Sequence, residues 1–211
     1  MILNVVFDIG GVLINNDPKV QIESLPYPKS VIAAMTKVIY CSSIWEKLDL
    51  GIYSTQDEAL PEFIDQDPRI ERELRTFFKP GWMKDIYLLN HDAQPLFNLC
   101  CGHLHVFLLS NYAKDGYEFL RDHFAFMAKP EGIMISAFEG LRKPDPRIYQ
   151  RLLQKFRLKA SETVLIDDNE ENIQKAEQCG LNGIHYENAT QTEKMLRKLL
   201  LDSGNHILPS L

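Results

Sequence analysis

"MILNVVFDIGGVLI", residues 1–14, sets a nearly unbroken apolar run against one carboxylate, Asp8, and two adjacent glycines, Gly10 and Gly11. A short run that is apolar throughout, rather than at every second position, reads as a strand buried on both faces, as in a parallel sheet covered by helices. The stretch is read as a strand and not as a leader, because Asp8 interrupts it, no basic segment precedes it and no small-residue cleavage site follows. Runs of the same kind recur at 106–109, 164–166 and, more weakly, 184–186.

Helical patterns lie between these runs. "PRIYQRLLQKF" (146–156) places Ile148, Leu152 and Phe156 on one face, with Asp145 as N-cap and Pro146 at the first helical position. "YEFLRDHF" (117–124) repeats the pattern with Tyr117, Leu120 and Phe124, and "NEENIQKAEQCG" (169–180) stops on Gly180. Strand followed by helix, repeated, predicts the α/β class: a Rossmann-like parallel-sheet core with helices on both faces. From 15 to 88 the signals are almost all helical: "SVIAAMTKVIY" (30–40), "STQDEALPEFI" (54–64), with Thr55 and Glu58 at capping-box spacing, and "PRIERELRTFF" (68–78). This block reads as an inserted all-helical cap domain at 15–88, dividing a core domain of 1–14 and 89–211.

The 211 residues, 45% hydrophobic and 25% charged, suit a globular chain. A net charge of -6 with no basic stripe argues against nucleic-acid binding. No stretch of about 18 uninterrupted apolar residues is present, so no membrane span is expected. Cys41, Cys100, Cys101 and Cys179 show no metal-type spacing and read as reduced and mostly buried, as in a cytoplasmic protein. His103 and His105 share strand spacing but lack a third ligand, so they read as strand or surface residues and not as a zinc site. Trp45, Trp82, Phe77, Phe78 and Tyr53 read as packing for the helical block or as lining of a pocket beneath it.

In an open parallel sheet, ligands bind outside the carboxyl ends of the strands. Asp8 follows the first run, Ser110 and Asn111 the second, Asp167 and Asp168 the third. Lys143, in "LRKPDP" (141–146), adds a cation just before a helix N-terminus, where backbone N–H groups also favour an anion. Asn111 is expected to cap the helix after it. Asp8, Asp167 and Asp168 brought together repel unless a proton is shared or a cation sits among them, and an all-oxygen set with a substrate phosphate suits Mg²⁺. A carboxylate nucleophile facing a phosphoryl group held by Mg²⁺, a lysine and a serine hydroxyl is a workable covalent phosphoryl-transfer centre.

"FDIGGVL", "LLSN", "RKPDPRIY" and "VLIDDNEENI", in this order and separation, resemble the four motifs of the haloacid dehalogenase-like superfamily, and the helical block resembles its C1-type cap, with "GIYSTQDEAL" (51–60) similar to a cap segment of that group. "DIGGV", "RKPDPRIY" and "IDDNEENI" are similar to a bacterial subgroup that includes sugar-phosphate phosphatases of the glucose-1-phosphate type. The resemblance implies that Asp8 is the nucleophile, that Ser110, Asn111 and Lys143 hold the phosphate, and that Asp8, the Gly10 carbonyl and Asp168 bind Mg²⁺, with Asp167 or Asn172 in or near that shell. It also marks a departure. Phosphatases of this superfamily carry an acid–base Asp two residues after the nucleophile, and here that position is Gly10. Asn15, Asn16 and Asp17 are read either as reaching the leaving group or as the hinge into the cap. The function expected is a phosphatase for a small phosphorylated metabolite, such as a sugar phosphate, with slow turnover for want of the second Asp. The alternatives are a 2-haloacid dehalogenase and a non-catalytic phosphate-binding or scaffold protein.

Overall fold

The computed structural model describes residues 1–15 and 18–205; Asn16 and Asp17 lie outside the described residues. In chain order, β1 (Asn4–Phe7) and the two-residue β2 (Ile14–Asn15) lead into a helical segment: α1 (Pro18–Ser24), α2 (Lys29–Met35), α3 (Ile44–Asp49), α4 (Gln56–Gln66), α5 (Glu71–Phe77) and α6 (Met83–Ile86). The chain returns through β3 (Leu88–Leu89), which pairs antiparallel with β2. Then follow α7 (Gln94–His103), β4 (His105–Ser110), α8 (Lys114–His123), β5 (Gly132–Ile135), α9 (Ser136–Glu139) and α10 (Pro146–Phe156). The chain continues with β6 (Thr163–Asp167), α11 (Glu170–Gln178), β7 (Asn182–His185) and α12 (Ala189–Asp202).

The five longer strands form one parallel sheet in the order β5-β4-β1-β6-β7. The apolar runs explain it: successive residues of a strand face opposite sides, and here both sides are covered. Val5 and Phe7 of β1, Val106 and Leu108 of β4, and Val164 and Ile166 of β6 pack with Leu96, Phe97, Leu120, Leu196 and Leu200. Val6, Phe107, Leu109 and Leu165 face the other way, onto Ile148, Leu152, Ile173 and Ala176 of α10 and α11. The first of these cores continues into the helical segment through Met35, Phe63 and Trp82. There Trp45, Phe63, Phe77, Phe78 and Trp82 form a chain of ring contacts 5.0–6.5 Å apart. These aromatics pack the helices, while Tyr53 donates its hydroxyl to Glu62 at 2.6 Å.

The expected caps are present: Asp145 accepts from the Arg147 N–H at 2.9 Å with Pro146 opening α10, and Thr55 accepts from the Glu58 N–H at 3.2 Å. Glu58 reaches back to the Ser54 N–H at 2.8 Å, one residue earlier than a standard capping box. Two smaller readings change. His103 ends α7 and His105 opens β4, so they share no strand face; His105 pairs with Glu131 at 2.7 Å. Of the cysteines only Cys100 is buried, whereas Cys41 is exposed. No helix among the described residues is long and apolar enough to cross a membrane.

Candidate active site

The strand order turns back between β1 and β6, the place where open α/β sheets offer a crevice at the carboxyl ends of their strands. Phe7 lies beside Leu108 on one neighbour and Ile166 on the other, so Asp8 comes level with Leu109 and Asp167. Beyond Asp8 the chain turns sharply, with the Ile9 carbonyl accepting the N–H groups of Leu13 (2.8 Å) and Ile14 (2.9 Å). Gly11 is required there twice over. Its φ is 73°, a left-handed conformation, and a Cβ at this position would stand 2.0 Å from Asp168 Oδ2.

Lys143 enters from the turn ahead of α10 and is almost wholly buried at 1% exposure. Its Nζ meets Asp8 Oδ2 at 2.8 Å and Asp167 Oδ2 at 2.5 Å, and donates to the Leu109 carbonyl at 3.1 Å. Asn111 holds this turn in place: its Nδ2 donates to the Lys143 carbonyl and its Oδ1 accepts the Lys143 N–H, both at 2.9 Å. Asn111 is therefore a clamp and not the helix cap expected of it; the N-cap of α8 is Ala113. The Ser110 hydroxyl and the Ile9 N–H both donate to Asp8 Oδ1, at 2.5 and 2.7 Å. Asp167 Oδ1 accepts from the Asn169 N–H and from Asn172 Nδ2, each at 2.9 Å. Asp168 sits on the exposed side of the cluster, and His185 Nε2 donates to its carbonyl at 2.9 Å.

Three carboxylates, Asp8, Asp167 and Asp168, bring oxygens within 4.8 Å of one another. At that spacing each like-charged pair repels by about 3–4 kcal/mol for an effective dielectric near 20, and one lysine offsets only part of it. Burial raises the Asp8 carboxyl to about 7, Lys143 opposes the rise, and Asp167 adds to it. Asp168 is raised for the same reasons, burial first and then the Asp167 charge. Burial alone would lower the Lys143 ammonium, but Asp167 and Asp8 outweigh it and the net shift is upward. The cluster is one cation short, and its donors are all oxygen.

Residues 2–180 match the family model described as haloacid dehalogenase-like hydrolase. The chain belongs to that family. Among its relatives, the sesquiterpene phosphatase AstK of Aspergillus oryzae is 27% identical over 198 residues, spanning 92% of this chain and 95% of the relative. Flavin mononucleotide hydrolase 1 of Arabidopsis thaliana is 23% identical over 78% of this chain and 66% of its own length. A HAD family enzyme from Bacteroides thetaiotaomicron, solved in complex with magnesium and inorganic phosphate, superposes with a TM-score of 0.67 at 21% identity, covering 87% of this chain and 93% of that one. A 2-haloacid dehalogenase from Pseudomonas syringae superposes at 0.61 and 17% identity, covering 94% and 99%. At such identities the superpositions establish the shared fold.

As a haloacid dehalogenase-like hydrolase, the chain gathers Asp8, Ser110, Lys143, Asp167 and Asp168 at one sheet edge, with Asn111 behind Lys143. The helix N-terminus of α10 is not an anion site, since Asp145 already occupies it. Four residues that bear on the site were not singled out by sequence: Asp49, Tyr87, Tyr112 and Arg142. Burial pushes both phenols up, and the charge of Asp49 acts on each. Asp49 stands two residues before "GIYSTQDEAL", so the cap segment itself was the signal that pointed nearest to it.

Proposed function

We propose that this hydrolase is a Mg²⁺-dependent phosphatase of small phosphorylated metabolites, sugar phosphates among them, acting through an aspartyl-phosphate at Asp8. The observation that carries this reading is the two-sided grip on one buried carboxylate. Asp8 Oδ1 is held by Ser110 and the Ile9 N–H and Oδ2 by Lys143, inside an all-oxygen acidic cluster. Such a grip orients the carboxylate for attack, and the same donors suit phosphoryl oxygens once the group arrives. The kinship with a sesquiterpene phosphatase and a flavin mononucleotide hydrolase supports phosphate esters as the substrate class.

The fit of Mg²⁺ is supported by the charge imbalance and by Gly11, whose missing Cβ lets the Asp168 carboxylate approach the cluster. Asp8, Asp168 and the Gly10 carbonyl would hold the ion. Asp167 stands in or beside that shell and pins Lys143 through Oδ2. When bound, Mg²⁺ supplies charge neutralisation for the phosphoryl group. Asp8 attacks phosphorus, Lys143 and Ser110 hold the phosphoryl oxygens, and Asn111 keeps Lys143 in reach.

Release of inorganic phosphate from a metabolite panel, with Mg²⁺ and with EDTA, tests the reading. Mg²⁺-dependent turnover that Asp8→Asn abolishes is the expected result; turnover indifferent to Asp8→Asn, or none on any phosphate ester, overturns it.

A further inference from the structure

Gly10 leaves the first motif without a side chain that can move a proton, so any acid–base group of this site comes from elsewhere in the chain. We propose that Asp49, at the C-terminal end of α3 in the helical segment, protonates the leaving group and then activates water; this rests on the phosphatase reading above.

Four observations converge on Asp49. First, its position is fixed against the sheet domain: two residues on, Gly51 has a φ of 71°, and a Cβ there would stand 2.2 Å from the Ala137 carbonyl, so the turn after α3 lies directly on the backbone of α9. Second, Asp49 Oδ2 stands 3.7 Å from Nε of Arg142, the residue next to Lys143. That distance gives attraction without a hydrogen bond, and the Arg142 Nε is buried with no hydrogen-bond partner. Arg142 instead donates from Nη1 to Glu46 Oε1 at 3.0 Å, so the Asp49 carboxyl is drawn to the guanidinium without being tied to it. Third, Arg142 immediately precedes Lys143, whose Nζ meets the proposed nucleophile Asp8 at 2.8 Å, so the Asp49–Arg142 pair stands one residue along the chain from the lysine of the cluster. Fourth, burial raises the Asp49 carboxyl to about 7, against the opposing charges of Arg142 and Lys143 and with a smaller upward push from Glu46. The other titratable groups facing it are the phenols of Tyr87 and Tyr112. A carboxyl poised near neutrality can give a proton and take one back.

The two half-reactions balance. As the Asp8 oxygen–phosphorus bond forms and the ester oxygen–phosphorus bond breaks, the Asp49 proton passes to the departing alkoxide, leaving an alcohol, an aspartyl-phosphate and an Asp49 carboxylate. That carboxylate then takes a proton from water as the water oxygen bonds phosphorus and the Asp8 oxygen departs, giving hydrogen phosphate and restoring both aspartates.

Leaving-group dependence separates this role from a merely structural one. The Mg²⁺-loaded wild type, Asp49→Asn and Asp49→Glu are assayed on glycerol phosphate, whose alkoxide needs a proton, and on p-nitrophenyl phosphate, whose phenolate does not. Asp49→Asn is expected to lower kcat/KM on glycerol phosphate by about 10²–10⁴-fold while changing it less than about tenfold on the nitrophenyl ester. On the nitrophenyl ester it should also show a burst of nitrophenol, because hydrolysis of the aspartyl-phosphate has lost its base. Asp49→Glu should recover part of the loss. In the metal-free wild type, carboxyl NMR should find Asp49 titrating near 7. An equal loss on both esters, no loss on either, or titration of Asp49 in the ordinary carboxylate range overturns the proposal. Asp8→Asn tells the two readings apart: if it leaves turnover intact the phosphatase reading fails, and if it abolishes turnover while Asp49→Asn shows no leaving-group bias, only the role of Asp49 fails.

Discussion

The two ends of the same strands handle buried polarity in opposite ways. At the amino end, Asn4 and Thr163 are buried but neutral, and they satisfy one another: Asn4 Nδ2 donates to Thr163 Oγ1 at 3.2 Å, and Thr163 Oγ1 donates to the Lys159 carbonyl at 2.8 Å. Asn205, after α12, closes that end by donating to the Ile2 carbonyl at 2.7 Å. At the carboxyl end, Asp8, Asp167 and Asp168 share one lysine. Hydrogen bonds can complete the first set within the chain, whereas the second keeps surplus negative charge that only something from outside completes. A closed polar network stabilises the fold; an open one is where a ligand belongs.

That contrast is breakable. Lys143→Met should have the largest effect, because it strands Asp8 and Asp167 without a counter-charge: urea denaturation of the metal-free protein at pH 8 is expected to show a loss of about 3–5 kcal/mol, and turnover should vanish. Gly11→Ala should cost about 1–3 kcal/mol through its left-handed backbone. By pushing the Asp168 carboxylate aside, it should also weaken Mg²⁺ binding at least about tenfold by calorimetry. Asn4→Ala sharpens the comparison from the other end. It should cost about 1 kcal/mol in the same denaturation while leaving kcat and KM unchanged.

The smallest effect concerns pH. Asp49 has a folded-state value of about 7 against 3.8 for the free side chain, so the folded protein binds the extra proton between those values. Its contribution to stability is therefore whole below about pH 4 and is lost as pH rises through 7. Asp49→Asn should flatten that slope and raise stability at pH 8, read as a higher Tm than that of the wild type.

Much of the site was legible because β1, β4 and β6 are buried on both faces, which forces continuous apolar runs and makes the first polar residue after each one stand out. The weaker strands lacked that signal. β5, "GIMI", is half-buried at its start and opens on Gly132, where a Cβ would stand 2.3 Å from the Phe156 ring; β7 opens on Asn182 and Gly183. The β2–β3 pairing joins two residues on each side across more than seventy positions, beyond any local pattern. The stretch read as one helix over 30–40 is α2 followed by a wider turn at Thr36–Tyr40, where the Cys41 N–H reaches back to the Thr36 carbonyl at 3.3 Å. Asn111 escaped for a related reason. Sequence places it before a helix, where capping is the local expectation, but its partner is 32 positions away, at Lys143. Asp49 is likewise a matter of long-range placement, since an aspartate near a helix end is unremarkable until burial and the Arg142–Lys143 turn are known.

Peptide mapping of protein quenched in acid seconds after mixing with Mg²⁺ and a phosphate monoester asks the decisive question of the carboxyl-end cluster. The phosphoryl group should be found on the peptide containing Asp8 and be lost from Asp8→Asn. Steady release of phosphate with the label on another residue, or on none in the Asp49→Asn protein where it should accumulate, would contradict the account.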